Sequence, residues 1–292
     1  MRLHLVDGTY ELFRAHYSKR PSRQAPDGRD VKATVGLVSS LLGLLADTDE
    51  AVSHIGVAFD NPIESWRNDR FDGYKDSEGV DADGLAQFDG AEAAVCSLGV
   101  HVWSCDDHEA DDVLAAAATR FRDDVDQVRI LTPDKDLAQV VCADRVVQVD
   151  RSRETERDEA AVVERFGVGP CSIPDLLALV GDTADGIPGL PGFGAKTAAQ
   201  LLAAYGRIEA IPEAPERWEP TVRGAARLAA VLAERRADVE LYRELATLDT
   251  SLDPGVDLPG LAWDGVPRQR FLDWCDQVGA DRLRDRPHRW RE

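Results

Sequence analysis

Five short apolar runs punctuate the first half of the chain: LHLV (3–6), HIGVAF (54–59), VHVW (100–103), VRILT (128–132) and RVVQV (145–149). Each is short, and together they are rich enough in β-branched residues to read as buried strands. Stretches with helical spacing lie between them, at 31–46, 86–98, 109–122 and 135–142. Strand–helix alternation predicts an α/β fold with a mainly parallel sheet flanked by helices. From about residue 157 the strand signal stops. ERDEAAVVERFG, PDLLALVGD, AKTAAQLLAAYG and RGAARLAAVLAERRADVELYRELA all predict helices. A Pro/Gly-rich extended stretch covers Asp253 to Arg268, and a last short helix near 268–278 precedes a basic tail containing Arg282, Arg284, Arg286, Arg289 and Arg291. The expected organisation is an α/β domain over 1–165 followed by a helical domain over 166–292.

The strands are informative because of the residues at their ends. LHLVD ends in Asp7, IGVAFD ends in Asp60, and VRILTPDKD places Asp134 and Asp136 just past a strand. Open parallel sheets bind ligands at the carboxyl ends of their strands, so three strands deliver four carboxylates to one edge. A single aspartate there is an ordinary turn former or helix cap; three strands with the same ending are harder to explain that way. HEADD (108–112) then opens a helix, with Glu109 and Asp112 on one face and Asp111 about 100° away. Acidic residues in a first helical turn also favour the helix dipole. GDTADGIPG adds Asp182 and Asp185 after an apolar helix. If these groups converge, they cannot all stay ionised without counter-charge. Divalent cations are the natural remedy, and an all-oxygen pocket selects Mg²⁺ or Mn²⁺ over zinc. Two such ions about 4 Å apart can activate a water and stabilise the leaving oxygen of an in-line phosphoryl displacement.

The Gly-rich turn in GLPGFGAKTAAQLLAAYG (189–206) runs into a helix. Gly192 and Gly194 would let backbone approach a phosphate, the helix N-terminus offers free amides, and Lys196 adds positive charge. As a bare pattern this is also an ordinary structural turn. The net charge of −20 argues against a nucleic-acid partner when taken alone. Binding depends on local patches, however. Residues 14–32 hold Arg14, Lys19, Arg20, Arg23, Arg29 and Lys32 against only Asp27 and Asp30. Five cysteines without C-x-x-C spacing exclude an obvious zinc site or disulfide framework. No apolar stretch is long enough to span a membrane, and Asp7 and Glu11 interrupt any secretory signal. A cytoplasmic monomer is expected.

Taken together, LVDGTYELFR, VAFD, HEADDVLA, ILTPDKDLAQVV and GDTADGIPGLPGFGAKTA resemble, in order and spacing, the bacterial 5′–3′ exonuclease and flap endonuclease family. That family includes the N-terminal 5′ nuclease domain of family A DNA polymerases. The resemblance runs from Leu3 to about residue 285 and implies a stand-alone form with a PIN-like fold. It also implies a helix–three-turn–helix DNA clamp at about 174–206 and an arch region at 61–92. By the same matching, Asp7, Asp60, Glu109, Asp111, Asp112, Asp134, Asp136, Asp182 and Asp185 form the set for two or three Mg²⁺ or Mn²⁺ ions. Lys75 and Arg14 match the catalytic cations, and Gly192, Gly194, Lys196 and Thr197 fall in the clamp, where K⁺ also binds in the family. The implied substrate is DNA with 5′ ends, flaps or gaps.

The departures lie mostly between residues 68 and 92. Here stand Asp69, Asp72, Asp76, Glu78, Asp81, Asp83, Asp89 and Glu92 against Arg70 and Lys75. Glu78 stands where the family has an arginine, Asn68 replaces a common histidine, and Gly186 replaces an asparagine. Glycines at 73, 79, 84 and 90 weaken a helix there. An arch that is partly disordered and grips a 5′ flap poorly is expected, with duplex-end exonuclease action favoured. Two other functions fit the residues less well: a structure-selective DNA-binding protein with weak catalysis, and a PIN-type ribonuclease.

Overall fold

The structure, a computed structural model, describes all 292 residues. In chain order the strands and α-helices are β1 (Arg2–Asp7), α1 (Gly8–His16), α2 (Lys32–Ala46), β2 (His54–Asp60), α3 (Trp66–Arg70), α4 (Ala82–Leu85), α5 (Phe88–Ser97), β3 (His101–Cys105), α6 (Ala110–Phe121), β4 (Gln127–Leu131), β5 (Val146–Asp150), β6 (Thr155–Arg157), α7 (Glu159–Phe166), α8 (Ile173–Val180), α9 (Ala195–Tyr205), α10 (Ala225–Glu234), α11 (Arg236–Ala246), β7 (Val266–Pro267), α12 (Arg268–Val278) and β8 (Trp290–Arg291). They fall into two compact units. The first comprises 1–65, 77–132 and 250–292, and the second 66–76 and 133–249.

In the first unit four parallel strands run in the order β3-β2-β1-β4. The apolar runs fill the sheet on both faces, with Leu3, Leu5, Ile55, Val57, Val128 and Ile130 wholly buried. Such continuous burial is what parallel strands covered by helices require. The register sets Asp7 opposite Ala58 and Asp60 opposite Cys105, so both aspartates reach the carboxyl edge.

The second unit is largely helical, with an antiparallel β5–β6 pair, and has its own apolar core. Its helices α8 and α11 pack together. The polar strand β6 has no apolar signal in its sequence.

Two expectations needed correction. The helix expected over 135–142 is only a 3-10 turn, Asp136–Val140. The Asp136 amide is taken by Asp134 Oδ1 at 3.0 Å, and Val141 is already extended. The single helix expected over 223–246 breaks between α10 and α11 at Arg235, whose backbone leaves the helical region at φ −105°, ψ 28°. The stretch 68–92 contains only short helical pieces before α5, with Asp69, Asp72, Asp76, Glu78, Asp81, Asp83 and Asp89 exposed.

Candidate functional site

The first unit places five of the expected carboxylates. Asp7 caps α1, accepting from the Tyr10 amide at 2.8 Å, and its other oxygen accepts from Thr132 Oγ1 at 2.8 Å. Asp60 Oδ1 accepts from the Ala110 amide at 2.7 Å, which ties the end of β2 to the start of α6. Asp112 is wholly buried and accepts from the Glu109 amide at 3.1 Å, while Glu109 Oε1 accepts from Ser65 Oγ at 3.2 Å. Asp111 is half-buried on the same helical turn. Asp7, Asp60 and Asp112 therefore bond amides at helix starts, and Asp7 and Glu109 are buried at a strand edge or a helix start. Arg14 donates to the buried Glu11 and to Ser40 Oγ at 3.0 Å.

The second unit brings three carboxylates together. Ligand oxygens of Asp136, Asp182 and Asp185 all lie within 4.8 Å of one another, and all three residues are buried. Two lysines face them. Lys75 Nζ is 3.0 Å from Asp185 Oδ1, and Lys135 forms an ion pair with Asp182. The loop that presents Asp182 and Asp185 is closed by paired amide bonds between Asp182 and Ile187, at 2.7 and 2.8 Å. Asp134 remains exposed.

The electrostatics follow from this crowding. Burial pushes Asp136 well above the ordinary carboxylate range, and the charges of Asp134 and Asp185 push the same way. Burial also opposes ionisation of Asp185, but Lys75, a hydrogen bond with Asp136 and the charge of Lys135 outweigh it and hold its pKa below the ordinary value. Burial works against the charge on Lys135, yet its bond to Asp182 and the surrounding aspartates keep its pKa raised. Asp136 Oδ1 is buried with no hydrogen-bond partner. An all-carboxylate donor set with an orphaned buried oxygen fits a hard divalent cation.

The sequence pattern does not mark Lys135 as counter-charge, although it sits between Asp134 and Asp136. The glycine at 186, where the resemblance leads one to expect asparagine, has a structural reason. Gly186 has φ +74°, and a Cβ there would lie 2.0 Å from the Gly73 carbonyl oxygen. Only glycine admits so close a backbone approach, and that approach lays the 66–76 segment on the Asp182–Asp185 loop.

The Gly-rich turn joins α8 to α9. Phe193 is buried and anchors it, whereas Gly192, Gly194, Ala195 and Lys196 are exposed and Thr197 is half-buried. Gly192 has φ +89°, and its added Cβ would crowd Arg227. Gly194 has ordinary φ and open space where a Cβ would go. The first amides of α9 have no partner within the helix and face this open turn.

A basic pocket lies in the first unit. Its cavity, about 460 Å³, is lined by Arg20, Arg23, Lys32, Arg282 and Arg286 and by no carboxylate. Lys32 Nζ donates to the carbonyls of His16 and Ser18 at 2.6 and 3.0 Å, and Arg286 donates to Ser39 Oγ at 2.6 Å, all neutral acceptors. The basic segment 14–32 and the basic C-terminal tail thus meet, which their separation in sequence concealed.

Two family models match in succession: 5′-3′ exonuclease, N-terminal resolvase-like domain, over residues 2–167, and 5′-3′ exonuclease, C-terminal SAM fold, over 168–269. The chain belongs to the 5′-3′ exonuclease family. A 5′-3′ exonuclease of Aquifex aeolicus is 31% identical over 252 residues, covering 86% of this chain and 83% of that protein. DNA polymerase I of Mycobacterium leprae is 34% identical over 97% of this chain. The chain spans about a third (31%) of that polymerase's length. Among solved structures, bacteriophage T5 5′-exonuclease with bound divalent metal ions (zinc) superposes with a TM-score of 0.66 at 18% identity, covering 95% of this chain and all (100%) of that one. The catalytic core of Rad2 in complex with DNA substrate gives a TM-score of 0.58 at 14% identity, covering 94% and 85%. These structures share the fold of this chain, a mainly parallel α/β sheet with a helical region. No helix of this family member is long and apolar enough to cross a membrane.

Proposed function

We propose that this chain is a metal-dependent 5′ nuclease hydrolysing DNA phosphodiesters, a 5′–3′ exonuclease and 5′ flap endonuclease of DNA repair and replication. The observation that carries the reading is the buried Asp136–Asp182–Asp185 triad with Lys75 and Lys135 against it. We assign metal binding to it, to Asp134, and to Asp7, Asp60, Glu109, Asp111 and Asp112 of the first unit, with two or three Mg²⁺ or Mn²⁺ ions. Such ions supply Lewis acidity and a water nucleophile.

The protein's own groups do the rest. Lys75, held beside Asp185, presents positive charge to the phosphate being cut, where charge grows in the transition state. Arg14 stands as a second cation on α1. The α9 amides with Gly192, Gly194, Lys196 and Thr197 hold a duplex backbone, and carbonyls of the same turn hold K⁺. The basic pocket takes further DNA phosphates. Exposed carboxylates across 68–92 repel a 5′ single strand, so duplex ends are preferred over long flaps. The partners are DNAs with 5′ ends, flaps or gaps, and the protein acts as a monomer. Its five free cysteines suit the reducing cytoplasm.

The test is release of labelled 5′ products from flap and recessed-end DNA, with Mg²⁺ or Mn²⁺, by the wild type and an Asp136→Ala, Asp182→Ala variant. Metal-dependent cleavage lost in the variant supports the reading. Binding without cleavage by the wild type would instead favour the structure-selective binder, and preference for an RNA strand the ribonuclease.

A further inference from the structure

The largest wholly buried side chain in the protein is a charged one, Arg67. Its Nε donates to the Leu245 carbonyl at 2.8 Å and its Nη2 to the Thr247 carbonyl at 3.2 Å. These carbonyls belong to the C-terminal end of α11, where helical carbonyls lack partners and the dipole is negative. The guanidinium also lies 4.7 Å from the Trp66 ring centre and 6.0 Å from that of Tyr74. Burying an arginine this completely is costly unless its donors are satisfied, and the end of α11 takes two of them.

The segment that Arg67 opens is the one that carries Lys75. It folds back on itself: the Phe71 amide donates to the Arg67 carbonyl, and Asn68 Nδ2 donates to the Lys75 carbonyl at 2.8 Å. At its far end the Lys75 amide donates to the Asp185 carbonyl at 3.0 Å. The segment is therefore pinned at one end on α11 and at the other on the aspartate loop. The same end of α11 also holds the Asp136 turn. Gln139 Nε2 donates to the carbonyls of Asp136, at 2.8 Å, and Ala246, at 3.1 Å, and its Oε1 accepts from the Leu248 amide at 3.0 Å.

We propose that Arg67 is a positioning residue, which uses the C-terminal end of α11 as a common datum to set the Lys75 ammonium against Asp185 and the Asp136 turn. This rests on the reading of Lys75 as the cation facing the scissile phosphate. Arg67 itself touches neither substrate nor metal; it acts through Lys75. A misplacement of about 1 Å at a reacting centre costs on the order of 100-fold in rate.

The test is a double-mutant cycle on the full chain. Wild type, Arg67→Met, Lys75→Ala and the double variant are compared in single-turnover cleavage with Mg²⁺, with substrate KM and Mn²⁺ binding measured beside it. Arg67→Met is expected to lower kcat about 10- to 100-fold with little change in KM or Mn²⁺ affinity, and to have no further effect once Lys75 is alanine. Equal losses in both backgrounds would overturn the proposal, because a merely structural role does not depend on Lys75. If Lys75→Ala alone leaves kcat unchanged, the reading of Lys75 has failed whatever Arg67 does. Where Arg67→Met does not fold, Arg67→Lys and Arg67→Gln, which each keep a donor toward Leu245, replace it. Failure of all three to fold would make Arg67 a fold residue and overturn the proposal.

Discussion

Lys75 and Asp185 are joined twice: the Lys75 amide donates to the Asp185 carbonyl at 3.0 Å, and its ammonium stands 3.0 Å from Asp185 Oδ1. The backbone bond fixes where the side chain begins, so the ammonium is preorganised rather than recruited. Lys75→Ala is expected to lower kcat about 100-fold, the scale of one preorganised charge contact in a transition state. KM for DNA should move little. Single-turnover rates at saturating enzyme check this; a loss confined to KM would make Lys75 a binding residue only.

The packing of Gly186 on Gly73 leads to a less intuitive expectation. Gly186→Asn would restore the residue the family commonly carries, and asparagine tolerates positive φ better than most residues. The obstacle is the Gly73 carbonyl oxygen, 2.0 Å from where the new Cβ would sit. The 66–76 segment must move away, and Lys75 with it. We expect a stability loss of about 1–3 kcal/mol, by overpacking, and a fall in kcat. Thermal melts and single-turnover rates of Gly186→Asn check both; an unchanged or raised rate would show that the segment yields without displacing Lys75.

Metal binding should take a proton off the triad. Burial and the neighbouring carboxylates raise the pKa of Asp136, so the folded protein keeps this proton to a higher pH than the unfolded chain does. Its contribution to metal-free stability therefore declines as pH rises above the ordinary carboxylate range. Asp185, with its pKa lowered, acts in the opposite sense, losing its contribution as pH falls below that range. A divalent cation competes with the Asp136 proton, so Mn²⁺ affinity should increase with pH and binding should release protons. Calorimetric titration in two buffers of different ionisation enthalpy reads this directly. A heat independent of the buffer would mean that Asp136 is already ionised.

Much of this was legible in the sequence, for reasons that can be located. Asp7 and Asp60 end apolar runs, and strand period plus parallel pairing sends both to one edge. Asp182 and Asp185 follow an apolar helix and precede glycines, which marks a turn. What was not legible depends on partners distant in the chain. Nothing local in TPDKD marks Lys135 as the partner of Asp182, which lies 47 residues further on. Nor does anything local in WRNDR announce that the end of α11 will cover Arg67. The helical pattern of 135–142 was real, but the side chains of Asp134 and Gln139 take up backbone groups there and leave only a 3-10 turn. The break at Arg235 carries no Gly or Pro to mark it.

Acid should unfold the first unit partly through Glu50. His4 Nε2 lies 2.9 Å from Glu50 Oε2, and Arg129 Nη2 donates to Glu50 Oε1 at 3.1 Å. The hydrogen bond with His4 and the charge of Arg129 overcome burial and hold the Glu50 carboxyl at about 2, against an ordinary 4.5. A depressed carboxylate contributes stability that is complete above its unfolded value and disappears as pH falls through the window from 4.5 toward about 2. Glu50→Gln leaves Arg129 without its anion and should cost about 1–2 kcal/mol near neutrality, less than for a fully buried pair because solvent screens the half-buried Glu50. It should also flatten the acid limb of the stability curve in that window. Denaturant melts across pH check it; parallel curves for the two proteins would assign acid sensitivity elsewhere.

On the proposed function, the basic pocket is where DNA phosphates would be held despite a net charge of −20. Five cations line the cavity with no carboxylate among them, so the repulsion of the acidic surface is relieved there. Arg20→Glu and Arg282→Glu are expected to weaken binding of duplex DNA, with uniform effect across sequences, and to reduce the slope of log K against log salt by about 1 for each phosphate that is no longer neutralised. The chemical step at saturating enzyme should be unchanged, because the lining of this cavity includes none of the residues assigned to the metal ions or to the scissile phosphate. Fluorescence anisotropy over a salt series, paired with single-turnover rates, separates the two effects. An unaltered salt slope would place the phosphate contacts elsewhere, with the exposed amides and Lys196 at the start of α9 as the next surface to alter.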